Sequence, residues 1–193
     1  MSWDLLAKID LSSETIRLSL AGTATASRQQ DMLLYDFSMP VQPFTAYMKF
    51  VEMGGKYSGN NRQLWALQAY PSQSPQAHLY SGTSPAYVLR INDADLDGLG
   101  YPSVSGASLL SGVEIVCQLL PTQDCYIEAH ENGVLLSSLY GAQNANFDYA
   151  GTYTRLTVAS ANVGGSRIAI LPVQEFALAR GVKTIDEMRR LVR

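Results

Sequence analysis

Apolar and polar residues alternate in short runs along nearly the whole chain, and the runs are cut by Gly, Pro, Asn and Ser. In TIRLSLA, Ile16, Leu18 and Leu20 alternate with Arg17 and Ser19; in FTAYMKFV, Phe44, Ala46, Met48 and Phe50 share one side. A period of two marks a strand with one buried face, because successive side chains leave opposite faces of the pleat. The same rhythm recurs in MLLYDFS, QLWALQAY, AHLYSG, AYVLRI, VEIVCQLL, CYIEAHE, VLLSSLY, YTRLTVA and RIAILPV, which makes eleven strands or more. No helical pattern separates them, so the chain reads as all-β, an antiparallel two-sheet sandwich or barrel rather than a βαβ sheet. Such a sandwich would bring its N- and C-terminal strands close together. The C-terminal stretch VKTIDEMRRLVR differs. Thr184 followed by Glu187 is a capping-box signature, and Ile185, Met188 and Leu191 or Val192 recur at helical spacing, which predicts a short C-terminal helix laid against the sheets.

Tyr126 to Ser138, YIEAHENGVLLSS, concentrates Glu128, His130, Glu131 and Asn132 in a few positions. The cluster invites an acid-base or metal reading. Yet Tyr126, Glu128 and His130 fall on one face and Ile127, Ala129 and Glu131 on the other, and Asn132-Gly133 is the pair best suited to the positive φ angles of a two-residue hairpin turn. The expectation is a hairpin whose Glu128 and His130 lie on the solvent side and tolerate substitution.

Composition narrows the picture. With 193 residues, 47% hydrophobic and 16% charged, the chain can bury roughly 70% of its unfolded surface as a single domain spanning 1–193. A net charge of -3 and no basic run beyond Arg189-Arg190 argue against nucleic acid, whose phosphates demand a concentrated positive face. No segment approaches 18 consecutive apolar residues, so no membrane insertion is expected. MSWDLLAKIDLSS lacks the basic and apolar regions of a signal peptide, which predicts cytoplasmic synthesis. Cys117 and Cys125 lie on the two arms of a hairpin around LLPTQD, where an even register puts both on one face; a cross-strand disulfide and a pair of reduced thiols are the two readings, and the second is the commoner state for so few cysteines.

Three segments carry candidate chemistry. In INDADLDGLGY, Asp93, Asp95 and Asp97 stand at alternate positions before Gly98, as at the start of a calcium loop, but Val104 occupies the twelfth position where a bidentate Glu is needed; calcium or a plain solvated turn are the alternatives. A sugar site needs an aromatic face and planar polar groups on loops. Tyr57, Asn60, Asn61, Arg62 and Trp65 in KYSGNNRQLW offer that mixture, and so do Asn144, Asn146, Asp148 and Tyr149 in QNANFDY, although Trp65 also fits a core position between Leu64 and Leu67. GGKYSG and VGGSR both lie between strands, so neither is a phosphate loop, and no G-x-S-x-G elbow occurs.

The order of pieces from about residue 35 to 193 resembles the laminin-G-like branch of the concanavalin A-like lectin sandwiches. The resemblance rests on FTAYMKFVEMGGKYSGNNRQLWALQAY, the short strand HLYSG, the hairpin in VEIVCQLLPTQDCYIEAHENGVLLSS, and a late strand running into FALARGVKTIDEM, which is similar to the tail common in these modules. It implies a jelly-roll sandwich and glycan recognition. Members that cut polysaccharides carry an E-x-D-x-x-E run, which this chain lacks, so the resemblance implies a binding module and not an enzyme. A signal-free chain of this kind suits a bacteriophage tail or fibre protein that contacts host surface glycans, located in the virion and able to form a homo-oligomer. A virion assembly or decoration protein is the first alternative, and a polysaccharide hydrolase with an unrecognised carboxylate pair the second.

Overall fold

In the computed structural model, residues 5–6, 15–25, 33–41, 43–50, 62–69, 76–81, 86–91, 103–105, 113–122, 124–141, 151–158 and 172–193 are described. They form β1 (Leu5–Leu6), β2 (Thr15–Thr25), β3 (Leu33–Pro40), β4 (Phe44–Phe50), β5 (Arg62–Gln68), β6 (Gln76–Ser81), β7 (Ala86–Ile91), β8 (Ser103–Ser105), β9 (Val113–Leu119), β10 (Cys125–Glu131), β11 (Val134–Gly141), β12 (Thr152–Val158), β13 (Pro172–Arg180) and the helix α1 (Ile185–Leu191). One sheet has the order β1-β2-β13-β4-β9-β10-β11 and the other β3-β12-β5-β6-β7-β8. Every recorded strand pair is antiparallel. The all-β two-sheet sandwich with a short C-terminal helix is thus observed. So is the closeness of the ends, because β2 pairs with β13.

The alternation in the sequence decides which side chains meet between the sheets. Phe44, Ala46 and Met48 point inward from β4 and pair across β9 with Leu119, Cys117 and Ile115; all six are buried. From the opposite sheet, the Trp65 ring stands edge-on to Phe44 at 6.4 Å and tilted against Phe176 at 6.4 Å, while Tyr153 meets Phe44 at 6.2 Å. Edge-to-face packing sets the positive ring edge against the negative face, and each such pair adds about 0.5–1.5 kcal/mol beyond area burial.

On the outer face of the first sheet, α1 covers the centre. Met188 and Val192, with Ile185 and Leu191, pack on Tyr47, Val116, Ala177 and Ala179. A seven-residue helix has no independent stability. It is held by the capping box, in which Thr184 accepts from the Glu187 amide and Glu187 accepts from the Thr184 amide. Its approach is pinned as well: Gly181 turns at φ 76°, its carbonyl accepts from Thr45, and Gln118 donates to the Lys183 carbonyl at 2.7 Å.

Of RIAILPV, expected as the last strand, residues 167–171 lie outside the described residues, and its final Pro172 and Val173 open the observed β13. That strand runs on to Arg180, beyond the expected run, with Phe176 and Leu178 inward and Ala177 and Ala179 under the helix. With both faces buried, the segment has no polar alternation to reveal it. Cys117 and Cys125 do share the inner face, but Cys125 pairs with Leu119 and Cys117 with Ile127, so the thiols sit on a diagonal and both are free. Diagonal neighbours stand about 7–8 Å apart at Cα, beyond the span of an unstrained disulfide.

Candidate functional site

The flank of the first sheet, β10 and β11, carries the arrangement of greatest chemical interest. Asn132 and Gly133 adopt φ of 51° and 82°, the two positive values of the expected turn, so the β10–β11 hairpin forms as the sequence predicted. The turn pairs Glu131 with Val134 and His130 with Leu135. Continued without interruption, that register would set Leu139 opposite Tyr126 and turn Tyr140 toward the core. Instead Ala129 pairs with Ser137, which leaves Leu136 as one extra residue in β11, and from there Tyr126 faces Tyr140. A bulge of this kind re-aims every side chain beyond it.

The two tyrosine rings lie 4.6 Å apart between centroids, with planes tilted by 42°. Tyr140 is 68% exposed; Tyr126 is half-buried beneath it. The Tyr126 hydroxyl donates to Glu128 Oε2 at 2.7 Å, and Glu128 Oε1 lies 3.3 Å from His130 Nε2. Burial first, and then the bond to Glu128, push the Tyr126 phenol up to about 12, so it remains a protonated donor at neutral pH. The His130 contact is within ion-pair range but is not a hydrogen bond: neither ring nitrogen has a hydrogen-bond partner, although the residue is only 7% exposed. Buried polar atoms are seldom left so, and with both ring nitrogens closed to solvent the imidazole backs the Glu128 carboxylate rather than presenting itself to a ligand.

The expectation that Glu128 and His130 lie on the solvent side is corrected. Their side chains are 16% and 9% exposed. The reason is position in the sheet: β10 is flanked on both sides, so Gln118, Val116 and Glu114 of β9 stand beside Tyr126, Glu128 and His130 on the same face. Glu114, diagonal to Glu128, is a poor partner for two-carboxylate chemistry. Burial would raise its pKa, but hydrogen bonds from Arg189 and Tyr47 outweigh that and hold it below the usual value of 4.5. A proton donor to a glycosidic oxygen needs the opposite shift.

The candidates chosen from sequence fare unevenly. Trp65 belongs to the core, 1% exposed, so its indole offers no face to a ligand from solvent. Arg62 opens β5 opposite Ser81, and its side chain is outside the described residues. Tyr57, Asn60, Asn61, Asn144, Asn146 and Asp148, and the acidic run of Asp93, Asp95 and Asp97, also lie outside the described residues. Among the described residues no group of three metal-ligating side chains converges. What sequence reasoning missed is Tyr140. An aromatic near the end of a hairpin strand was the available signal, but its face depends on the bulge at Leu136.

No family model and no curated protein matches the chain in sequence. Solved structures match it in fold. The CBM40 module of the Ruminococcus gnavus IT-sialidase is 12% identical with a TM-score of 0.55, over 94% of this chain and 97% of that one. The same module bound to alpha2,3 sialyllactose gives 12% and 0.53, over 93% and 96%. The NanB sialidase from Streptococcus pneumoniae is 13% identical with a TM-score of 0.53, over 82% of this chain but 27% of that one. At these identities the likeness establishes the two-sheet β-sandwich fold.

Proposed function

We propose that the chain is a non-catalytic carbohydrate-recognition module that seats a glycan on Tyr140. The observation that carries this reading is the exposed Tyr140 ring at the head of the row Tyr126, Glu128 and His130. A pyranose has an apolar face of C–H groups and a rim of hydroxyls, so it asks for an aromatic surface beside fixed acceptors and donors. The ledge supplies both. The alternating positions from Tyr126 to His130 span about 13 Å at strand rise, room for more than one ring. The mutual coverage of 94% and 97% with the CBM40 module of a sialidase supports the same reading. A carboxylate on the floor of the ledge suits the hydroxyls of uncharged sugars and repels a sugar acid, so neutral glycans are the proposed partners. Neither the fold nor the structural likenesses support a tail or fibre origin, and the proposal does not depend on one.

The test is a glycan array probed with the full chain, with neutral and sialylated sugars side by side, together with an assay for released reducing ends. Saturable binding of neutral glycans without release is expected. Release of reducing ends, or binding restricted to sialylated glycans, would overturn the proposal.

A further inference from the structure

The strong hydrogen-bond donors around the Tyr140 ledge already have partners. The Tyr126 hydroxyl donates to Glu128 Oε2 at 2.7 Å, and the Gln118 amide beside it donates to the Lys183 carbonyl at 2.7 Å. Arg189 directs three of its N–H groups at Glu114 and Asp186. Strands β10 and β11 themselves contain no Lys, Arg, Asn or Gln. Apart from the exposed Ser138 hydroxyl, what is left to meet a ligand is a carboxylate and an aromatic face.

The same flank is short of positive charge. From Val113 to Gly141 the chain holds Glu114, Asp124, Glu128 and Glu131 and no Lys or Arg. Arg189 neutralises Glu114 from the helix at 2.7 Å. Glu128 has no such partner: among the described residues its ion-pair contact is His130 at 3.3 Å, and neither nitrogen of that ring makes a hydrogen bond. With its side chain 16% exposed, Glu128 is partly withdrawn from water, where an opposite charge is felt more strongly than in bulk solvent. Tyr140 stands diagonal to Glu128 across the β10–β11 ladder, because Tyr126 pairs with Tyr140 and Glu128 with Ser138. Diagonal neighbours lie about 7–8 Å apart at Cα, so the exposed ring and the carboxylate can flank a single ligand group.

We propose that the ledge selects glycans bearing a free amine, with the ammonium of an amino sugar seated between the Tyr140 ring and Glu128. An ammonium brings three donors and asks for no donor in return, which matches a surface whose own donors are taken. Its charge is drawn both to the carboxylate and to the negative face of the ring. Neutral sugars share the stacking but lack that charge, and N-acetylation removes it. The inference rests on the reading of the ledge as a glycan site and names the sugar class within it.

Titration calorimetry of the full chain with a glucosamine tetrasaccharide and with its N-acetylated counterpart tests it, at about pH 6, below the range in which ordinary amines lose their proton. The amine form should bind roughly tenfold more tightly, the combined size of one partly exposed ion pair and one cation–π contact. That preference should shrink as salt is raised from about 0.01 to 1 M, since the Debye length falls tenfold over that range. Glu128→Gln, which keeps the shape and an acceptor for the Tyr126 hydroxyl, should bring the two affinities together. If that variant fails to fold, the wild-type salt series decides alone. Equal wild-type affinities, a preference indifferent to salt, or a preference that survives in folded Glu128→Gln would overturn the inference. None of these touches the glycan reading itself, whose failure would show as no binding to any neutral sugar on the array.

Discussion

Arg189 holds Glu114 at two points: Nε donates to Oε1 at 2.9 Å and Nη2 to Oε2 at 2.7 Å, which fastens α1 to β9. A fork-on-fork pair is both directional and strong. Tyr47 donates to the same carboxylate at 2.7 Å and approaches Glu175 at 3.2 Å, so one phenol and one guanidinium tie three strands and the helix together. Glu114 lies 6% exposed, and its charge would be stranded without Arg189.

Arg189→Ala should therefore lower stability by about 2 kcal/mol, less than the removal of a partner from a fully buried pair because Arg189 itself is partly exposed. At roughly 2–4 °C per kcal/mol for a chain of this size, the melting temperature should fall by about 4–8 °C at pH 7. Glu114 has a depressed pKa in the folded chain, so its contribution is complete above the ordinary glutamate value of 4.5 and disappears as pH falls through the lower folded value. The gap between wild type and Arg189→Ala should close below that value. A gap of constant size down to the acid limit would mean that the pair contributes nothing specific.

Removing the helix's apolar anchor should cost more. Met188→Ala empties a buried site over Val116 and Ala177 and is expected to destabilise by about 3 kcal/mol in urea unfolding. Thr184→Ala, which deletes the capping oxygen, should cost about 1 kcal/mol, and Thr184→Ser almost nothing.

Tyr140→Ala should leave melting within the range of an ordinary surface change, about 0.5 kcal/mol, because the ring is largely exposed. Glycan affinity should fall roughly tenfold, equivalent to about 1.4 kcal/mol. Tyr140→Phe should bind nearly as well as wild type, since the ring face and not the hydroxyl does the stacking. Equal affinities by titration calorimetry for the alanine variant and wild type would remove the ledge as a binding site.

The cysteines supply a simple chemical readout. Burial pushes both thiols up, Cys125 to about 12 with Asp124 adding to the shift, and Cys117 well above its usual value with the Cys125 thiol and then Glu128 adding to it. Neither should react with a thiol reagent at pH 8 in the folded chain, and both should react on unfolding, as nucleophilic thiolate is then available. A single thiol, or none, in the unfolded chain would point to oxidation.

Legibility followed burial. Strand β4 could be read because Phe44, Ala46 and Met48 go inward, although its outer residue Tyr47 is buried too; the turn at Asn132-Gly133 could be read because few residues tolerate positive φ. The capping box announced α1. Strand β13 was hidden because Ala177 and Ala179 meet the helix while Phe176 and Leu178 meet the core. In the site, the hairpin was legible but its aromatic pair was not. A two-residue turn fixes register at Glu131 and Val134, and only the slip at Leu136 brings Tyr140 over Tyr126. That slip leaves no periodic trace, because LLSSL reads equally well with or without an extra residue. Trp65 illustrates the converse, an aromatic whose type suggested a ligand and whose neighbours Leu64 and Leu67 suggested the core where it lies.

Covering the centre of one sheet surface with a helix divides the evolutionary labour of that surface. At Tyr47, Val116, Ala177 and Ala179, any drift in side-chain volume is felt by Met188 and Val192, so change there is paid for in folding. A few strands away, Ser138 and Tyr140 have no helix above them and carry little of the core. New residues can be sampled at those positions, and new ligands acquired, while the scaffold that presents them stays constant. The short helix thus acts as a boundary between a constrained foundation and an adaptable rim, and variation among descendants of this chain should gather on the rim side.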